Sequence, residues 1–265
     1  MCRLIAYAGG PRAIADLVVE PHHSLINQSQ AAEESKLSVN GDGFGFAWYG
    51  RGPAPGLYRD VLPAWSDENL LSLCQTIETH HFLAHVRAST VGETMRTNCH
   101  PFVYGSWCFM HNGILAGFNQ IKRGLEQALP DHLYDQRRGT SDSELFFLTL
   151  LANGLDEDPH SAVTKSLKII RDLQAGEKRP NRITAVFSNG KTLYAMRTSS
   201  DAKSPSLYYS NTAFSGARVF ASEPLDADPT NWTAVAEGSL VCIQVDPSTH
   251  ETSKQANKFA IPLVA

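Results

Sequence analysis

The stretch MCRLIAYA, residues 1–8, reads as a β-strand that begins at a cysteine and is closed by Gly9-Gly10-Pro11. Removal of Met1 makes Cys2 the terminal residue, with a thiol and a free α-amine on one Cα. Such an amine has an ordinary pKa of about 7.7–8.0, so part of it is neutral near pH 7. It can take the thiol proton directly or through one water, and a single residue then supplies nucleophile and base. Taken alone, a cysteine at position 2 reads mostly as an accident or a small buried residue. If Met1 stays, the α-amine belongs to the wrong residue.

Further along lies WCFMHNG, residues 107–113, an alternating run ending in His111-Asn112-Gly113. The Asn-Gly pair offers a side-chain amide and a backbone N–H to an oxyanion. It is also the signature of a type I′ hairpin turn. Both readings stand at this point.

The rest of the chain places these two stretches in a sheet-rich fold. Residues 24–35 are weakly helical. Residues 40–50 (NGDGFGFAWYG) give a glycine-rich turn running into a strand, and the loop over 50–56 connects strands within a sheet. Ser66 caps a helix expected over 67–79, with Leu70, Leu73, Cys74 and Ile77 on one face. Strands are expected over 82–89 and 106–111. Ser141, with Glu144 three residues on, forms a capping box for a helix to about residue 153 that is apolar nearly all round and so buried on two sides. Another helix is expected over 161–173. From there strands dominate: 183–188 and 191–197 joined by Asn189-Gly190, then short ones near 206–210, 218–221 and 239–245. Strands in blocks with the main helices grouped in the middle predict an α+β fold of antiparallel sheets layered with helices.

Composition narrows the function classes. The chain has 265 residues, 42% hydrophobic and 19% charged, with net charge −4, which is ordinary for a globular protein and carries no polyanion footprint. The N-terminus is too short in apolar residues for a secretory signal, and residues 145–152 fall far short of a membrane span. Five dispersed cysteines lack a disulfide-framework spacing, which suits a reduced, cytoplasmic protein. No nucleic acid and no membrane are expected as partners.

Several residues are candidates for chemistry. Alternation over 82–89 puts Leu83, His85, Arg87 and Ser89 on one face and Phe82, Ala84, Val86 and Ala88 on the other. Arg87 there is a fork for a substrate carboxylate, or one half of a surface salt bridge. Asp142, in the first turn of its helix, either complements the macrodipole or receives a substrate ammonium. Cys99, His100, Cys108 and His111 crowd together as zinc ligands would. Cys108 and His111 are three apart on a strand and face opposite ways, so a convergent zinc site is not expected. The pairs His22-His23 and His80-His81 read as surface or turn residues; Cys74, Cys108 and Cys242 read as inert core.

In combination, MCRL, NGDGFGFAW, HVRAST, CHPF, FMHNG and TSDSE, spread over residues 2–144, resemble the class II glutamine amidotransferases. The resemblance implies an N-terminal-nucleophile (Ntn) hydrolase fold, a four-layer αββα sandwich of two mainly antiparallel sheets flanked by helices. It implies Cys2 as nucleophile with its freed α-amine as base, Asn112 and Gly113 as the oxyanion pair, and Arg87 and Asp142 as holders of the α-carboxylate and α-ammonium of glutamine. Thr90 and His100 match positions lining the glutamine pocket. The mechanism implied is attack on a γ-glutamyl amide, loss of the amine, and hydrolysis of a γ-glutamyl thioester. It needs no metal and no organic cofactor.

About 120 residues follow Asp142, so residues 1–265 are expected to form a single amidotransferase domain with no attached synthase domain, as in the stand-alone branch. Glu20-Pro21, HVRASTVG (85–92), ASEPLD (221–226) and Trp232 are similar to the γ-glutamyl amidohydrolases of ergothioneine synthesis and of glutathione degradation. Ser222-Glu223-Pro224 reads either as reaching the leaving-group side or as a turn at a strand end. Three readings remain open: a hydrolase of free γ-glutamyl compounds, a glutaminase subunit serving a separate synthetase or peptidase partner, and a silent glutamine-binding module. A homo-oligomer is also open, since the sequence shows no coiled-coil or long amphipathic seam.

Overall fold

A computed structural model describes residues 2–35, 37–89, 93–214, 216–246, 252–253 and 256–261 of the chain. Its elements, in order, are β1 (Arg3–Ala13), α1 (Ala15–Val18), α2 (Leu25–Gln30), β2 (Phe44–Trp48), β3 (Gly56–Asp60), α3 (Glu68–Thr76), β4 (Glu78–Val86), β5 (Phe102–Tyr104), β6 (Trp107–Ile114), α4 (Phe118–Gln127), α5 (Asp131–Tyr134), α6 (Asp142–Ala152), α7 (Pro159–Leu173), β7 (Arg182–Ser188), β8 (Thr192–Ser199), β9 (Tyr208–Ser210), β10 (Arg218–Ala221), β11 (Thr233–Ala234), β12 (Ser239–Gln244) and β13 (Asn257–Ala260). One sheet has the order β11-β9-β10-β1-β4-β2-β3, the other β13-β12-β8-β7-β6-β5. Every pairing between these strands is antiparallel.

Strand alternation sorts the apolar residues into three cores. Ile5, Tyr7, Phe82, Ala84 and Val86 pack under the first helices with Val18, Leu25 and Leu70. Leu4, Ala6, Ala8 and Leu83 face Cys108, Met110 and Val186 between the sheets. Phe109, Ala185 and Phe187 turn outward to Leu145, Phe146, Val163 and Leu167 of the later helices. Three apolar layers between four layers of structure make the αββα sandwich, and α6, buried from Asp142 to Leu150, is its most enclosed helix.

Local expectations fail where tertiary contacts override them. Gly9-Gly10-Pro11 does not end the first strand; β1 runs to Ala13 through a register shift between Ala8 and Arg12. The helix expected over 67–79 stops at Thr76, because residues from Glu78 pair with β1, and its cap is Asp67, which accepts the Leu70 N–H at 2.7 Å, not Ser66. His81 is not a surface residue: it lies fully buried in β4 with its ring on Tyr49. Asn112-Gly113 is not a hairpin turn. Both residues lie inside β6, opposite Thr184 and Ile183 of β7. No described helix is long and apolar enough to cross a membrane.

Candidate active site

Two opposite ends of the sandwich can be told apart by their contacts. At one, the Tyr49 hydroxyl, just past β2, bonds the Ser106 and Ser188 carbonyls, each at 2.8 Å, and meets Cys108. That fixes where β6 begins. At the other end lie the start of β1, the end of β4 and the start of β2, where Arg3 and Phe44 both pair with Val86. The sheets of a sandwich keep their strands roughly aligned, so β6 carries Asn112 and Gly113 to this second end. The alternation that sends Leu4 and Met110 between the sheets sends Cys2 and Asn112 there as well.

The Cys2 thiol is half-buried and donates to the Ala88 carbonyl at 3.6 Å. Burial pushes its pKa up, against the Ala88 hydrogen bond and the nearby charges of Arg87 and Arg3. At neutral pH it is therefore a thiol that needs a base to become a nucleophile.

Arg87 is buried, which disposes of the surface salt bridge. It sits one residue past β4, where the Arg87 N–H donates to the Gly43 carbonyl at 2.8 Å. Its guanidinium donates to Ser89 Oγ at 2.9 Å, the Asp42 carbonyl at 3.4 Å and the Glu93 carbonyl at 3.5 Å. Asp42 in turn accepts the Ser89 N–H at 2.7 Å. The glycine-rich turn before β2 is shaped for this neighbourhood: a Cβ on Gly45 would overlap the His100 carbonyl.

Across the site, the Asn112 carboxamide is 1% exposed, and neither its oxygen nor its nitrogen has a hydrogen-bond partner among the described residues. Buried amides are nearly always satisfied, and an exception invites a functional account. Gly113 has φ +155°, and a Cβ there would overlap the Arg182 carbonyl, so the position is closed to other residues. Asp142 begins α6 behind the Ser141 cap; its carboxylate accepts the Leu115 N–H at 2.9 Å and the Ser143 hydroxyl at 3.3 Å. Glu144 does not close the capping box back onto Ser141. It turns to the Arg138 and Gly139 N–H groups at 3.0 and 2.7 Å.

The two charges are tied through one side chain that sequence reasoning passed over. Asn98 donates to the Glu93 carbonyl at 2.9 Å, the same carbonyl Arg87 reaches, and accepts the Ser141 N–H at 3.2 Å. His100 is buried and its ring packs tilted against that of His85, 4.2 Å between ring centroids. Burial holds the His85 pKa down at about 3 and that of His100 well below its usual value, so both rings are neutral. Thr90 lies outside the described residues.

The cysteine–histidine crowd does not converge. Cys108 faces the inter-sheet core, whereas His111 turns the other way and bonds Ser143 Oγ at 2.9 Å through Nδ1. No group of three potential ligands occurs among the described residues. Cys74, Cys108 and Cys242 are pushed up to about 12 by burial.

Sequence reasoning also missed the reach of Glu223. Its buried carboxylate accepts from Arg3 Nη1 and bonds His23 Nε2, both at 2.7 Å, and accepts the Glu33 and Glu34 N–H groups at 3.1 and 3.0 Å. Burial raises its pKa, but these donors outweigh it and leave the acid below its ordinary range. Glu223 and Pro224 border a cleft of about 450 Å³ with His22, His23, Glu33 and Asp226. The sequence signal was the ASEPLD segment, read either as reaching the leaving-group side or as a turn at a strand end.

Residues 18–261 match the family model for class-II glutamine amidotransferases. The Saccharomyces cerevisiae protein named probable glutamine amidotransferase DUG3 is 32% identical, over 92% of this chain and 82% of its own. A gamma-glutamyl-hercynylcysteine sulfoxide hydrolase of Mycolicibacterium smegmatis is 30% identical, over 92% and 96%. Among solved structures, a glutamine aminotransferase class-II domain protein from Silicibacter pomeroyi superposes with TM-score 0.75 at 34% identity, covering 98% of this chain and all of its own. Glutamine phosphoribosylpyrophosphate amidotransferase from B. subtilis shares the fold at 15% identity and TM-score 0.62, over 99% of this chain and 50% of its own.

Proposed function

The chain belongs to the class-II glutamine amidotransferases, and from that premise we propose that it hydrolyses a γ-glutamyl amide through a thioester on Cys2. What supports this is that Cys2, one residue before β1, continues the alternation that sends Leu4 between the sheets, as Asn112 in β6 continues that of Met110. The names of the two relatives, one an amidotransferase and one a γ-glutamyl hydrolase, support the same substrate class. The described residues form one four-layer unit, which supports reading the chain as a single amidotransferase domain.

In this reading Arg87 takes the α-carboxylate and Asp142 the α-ammonium of the γ-glutamyl group. The Cys2 α-amine, freed of Met1, removes the thiol proton, and sulfur attacks the amide carbon. The oxyanion is met by the Asn112 amide and the Gly113 N–H, a pair of donors held before substrate arrives. Collapse expels the amine, which takes the proton, and water then hydrolyses the thioester. Each chemical step is a proton transfer or acyl transfer that needs no metal or organic cofactor.

Intact mass before and after incubation with 6-diazo-5-oxo-norleucine tests it. The starting mass reports whether Met1 is gone. One adduct that maps to Cys2 and is absent in Cys2→Ala is expected, together with glutamate release from γ-glutamyl amides. Processed protein that binds glutamine but forms no adduct and releases no glutamate would make the chain a binding module.

A further inference from the structure

Cys2 and Arg3 leave the start of β1 on opposite faces. Leu4 and its alternates point between the sheets, whereas Ile5 and Tyr7 point to the first helix layer, and the same alternation sets Cys2 on the Leu4 side and Arg3 on the Ile5 side. Arg3 therefore reaches the candidate nucleophile through its backbone. Its Nε donates to the Cys2 carbonyl at 2.7 Å, and its Nη1 to Glu223 Oε1 at 2.7 Å. The Arg3 side chain is fully buried and that of Glu223 is 2% exposed.

The same segment grips the next residue. Leu4 N–H donates to Ser222 Oγ, and Ser222 N–H to the Leu4 carbonyl, each at 3.0 Å. Residues 3 and 4 are held on two sides, by Ser222 and Glu223 and by Val86 and His85 of β4. Glu223 is itself immobilised by His23 and by two loop N–H groups. A buried ion pair roughly balances its own desolvation, so it is weak evidence for stability. Two fixed guanidinium donors aimed at a carboxylate and at one backbone carbonyl are instead a device for orientation.

We propose that the Arg3–Glu223 pair is a positioning element for Cys2, with Arg3 fixing the carbonyl of the nucleophilic residue and hence the direction of its thiol. This rests on the hydrolase reading above. Arg3 touches neither substrate nor the reacting sulfur; it acts through the Cys2 main chain.

Arg3→Lys keeps the charge opposite Glu223 and loses the second donor. With the processed full-length chain and a γ-glutamyl amide, kcat is expected to fall about 10- to 100-fold, the range for displaced reacting groups, while KM stays within about twofold. Glu223→Gln removes the charge opposite Arg3 and leaves one oxygen, an acceptor for only one of the Glu33 and Glu34 N–H groups, and is expected to lower kcat in the same sense. A structural role alone would reduce melting temperature with kcat per folded molecule unchanged, so folded Arg3→Lys protein with wild-type kcat overturns the proposal. If the wild-type chain releases no glutamate, the hydrolase reading fails separately. The rate of Cys2 alkylation by iodoacetamide then decides: slowing by about threefold or more in folded Arg3→Lys supports positioning, and an equal rate overturns it.

Discussion

Asn98 and Thr140 hold each other twice: the Asn98 carboxamide oxygen accepts the Thr140 N–H at 2.8 Å, and its nitrogen donates to Thr140 Oγ1 at 3.0 Å. With the further bonds to Glu93 and Ser141, one buried amide joins the segment under Arg87 to the segment that opens α6 at Asp142. The two proposed anchors of the substrate thus share a brace. Asn98→Ala takes the acceptor from the Thr140 N–H, on an exposed residue, and from the buried Ser141 N–H, the latter at a cost of about 1–3 kcal/mol if water does not replace the amide. The expected result is a KM raised about tenfold or more, with little change in Cys2 alkylation. Steady-state kinetics beside alkylation rates check it; unchanged KM would remove Asn98 from the site.

Asn112→Ala and Gly113→Ala should part company. The Asn112 amide makes no hydrogen bond among the described residues, so its truncation is expected to spare stability and to lower kcat by about 10²- to 10³-fold, the range for one oxyanion donor. Gly113→Ala meets the Arg182 carbonyl at an unfavourable φ and is expected to cost about 1–3 kcal/mol of stability as well as activity. Denaturant midpoints measured with kcat for both variants separate the effects. A strongly destabilised Asn112→Ala would mean that its amide is structural.

Stability should fall on mild acidification. Burial holds His81 and His85 at about 3 in the folded chain, and His100 well below its usual value. Unfolded histidines titrate near 6.5, so the unfolded state takes up protons first. The stability is complete above about pH 6.5 and is lost as pH falls toward 3, by about 1.4 kcal/mol per pH unit for each histidine once well below 6.5. Denaturant unfolding at pH 7, 5.5 and 4.5 measures the slope. His81→Phe, at a site whose ring nitrogens have no hydrogen-bond partner among the described residues, should remove about one proton from it. A slope unaltered by that change would show that His81 ionises elsewhere than proposed.

Arg87→Lys keeps the positive charge and loses the fork that bonds Ser89, Asp42 and Glu93. KM is expected to rise about tenfold or more, with the larger effect in kcat/KM than in kcat. Titration with γ-glutamyl amides that carry or lack the α-carboxylate provides the control. Equal losses on both would mean that Arg87 does not read that group.

Much of the fold was legible in the residues. The strand at 218–221, the Asn189-Gly190 hairpin and the helix after Ser141 depend on local alternation, φ preferences and capping, and they stand where expected. Asn189-Gly190 and Asn112-Gly113 mark the limit of such signals. The same dipeptide turns the chain at Gly190, with φ +81°, and runs inside β6 at Gly113, because there β7 pairs straight past it. His81, adjacent to a second histidine, read as a turn residue until β4 took a central place in its sheet.

The sequence by itself determined an α+β fold of antiparallel sheets layered with helices; the resemblance of its motifs implied the αββα layering and marked Cys2, Arg87, Asn112, Gly113 and Asp142 as candidates. Tertiary structure alone decided that Asn98 braces both anchors, that His85 and His100 are buried neutral neighbours, and that Arg3 meets Glu223 across 220 positions. The reason is range. Capping and alternation act over a few residues and leave their pattern in the chain, whereas a hydrogen bond between distant loops depends on which strand ends the sheet brings together.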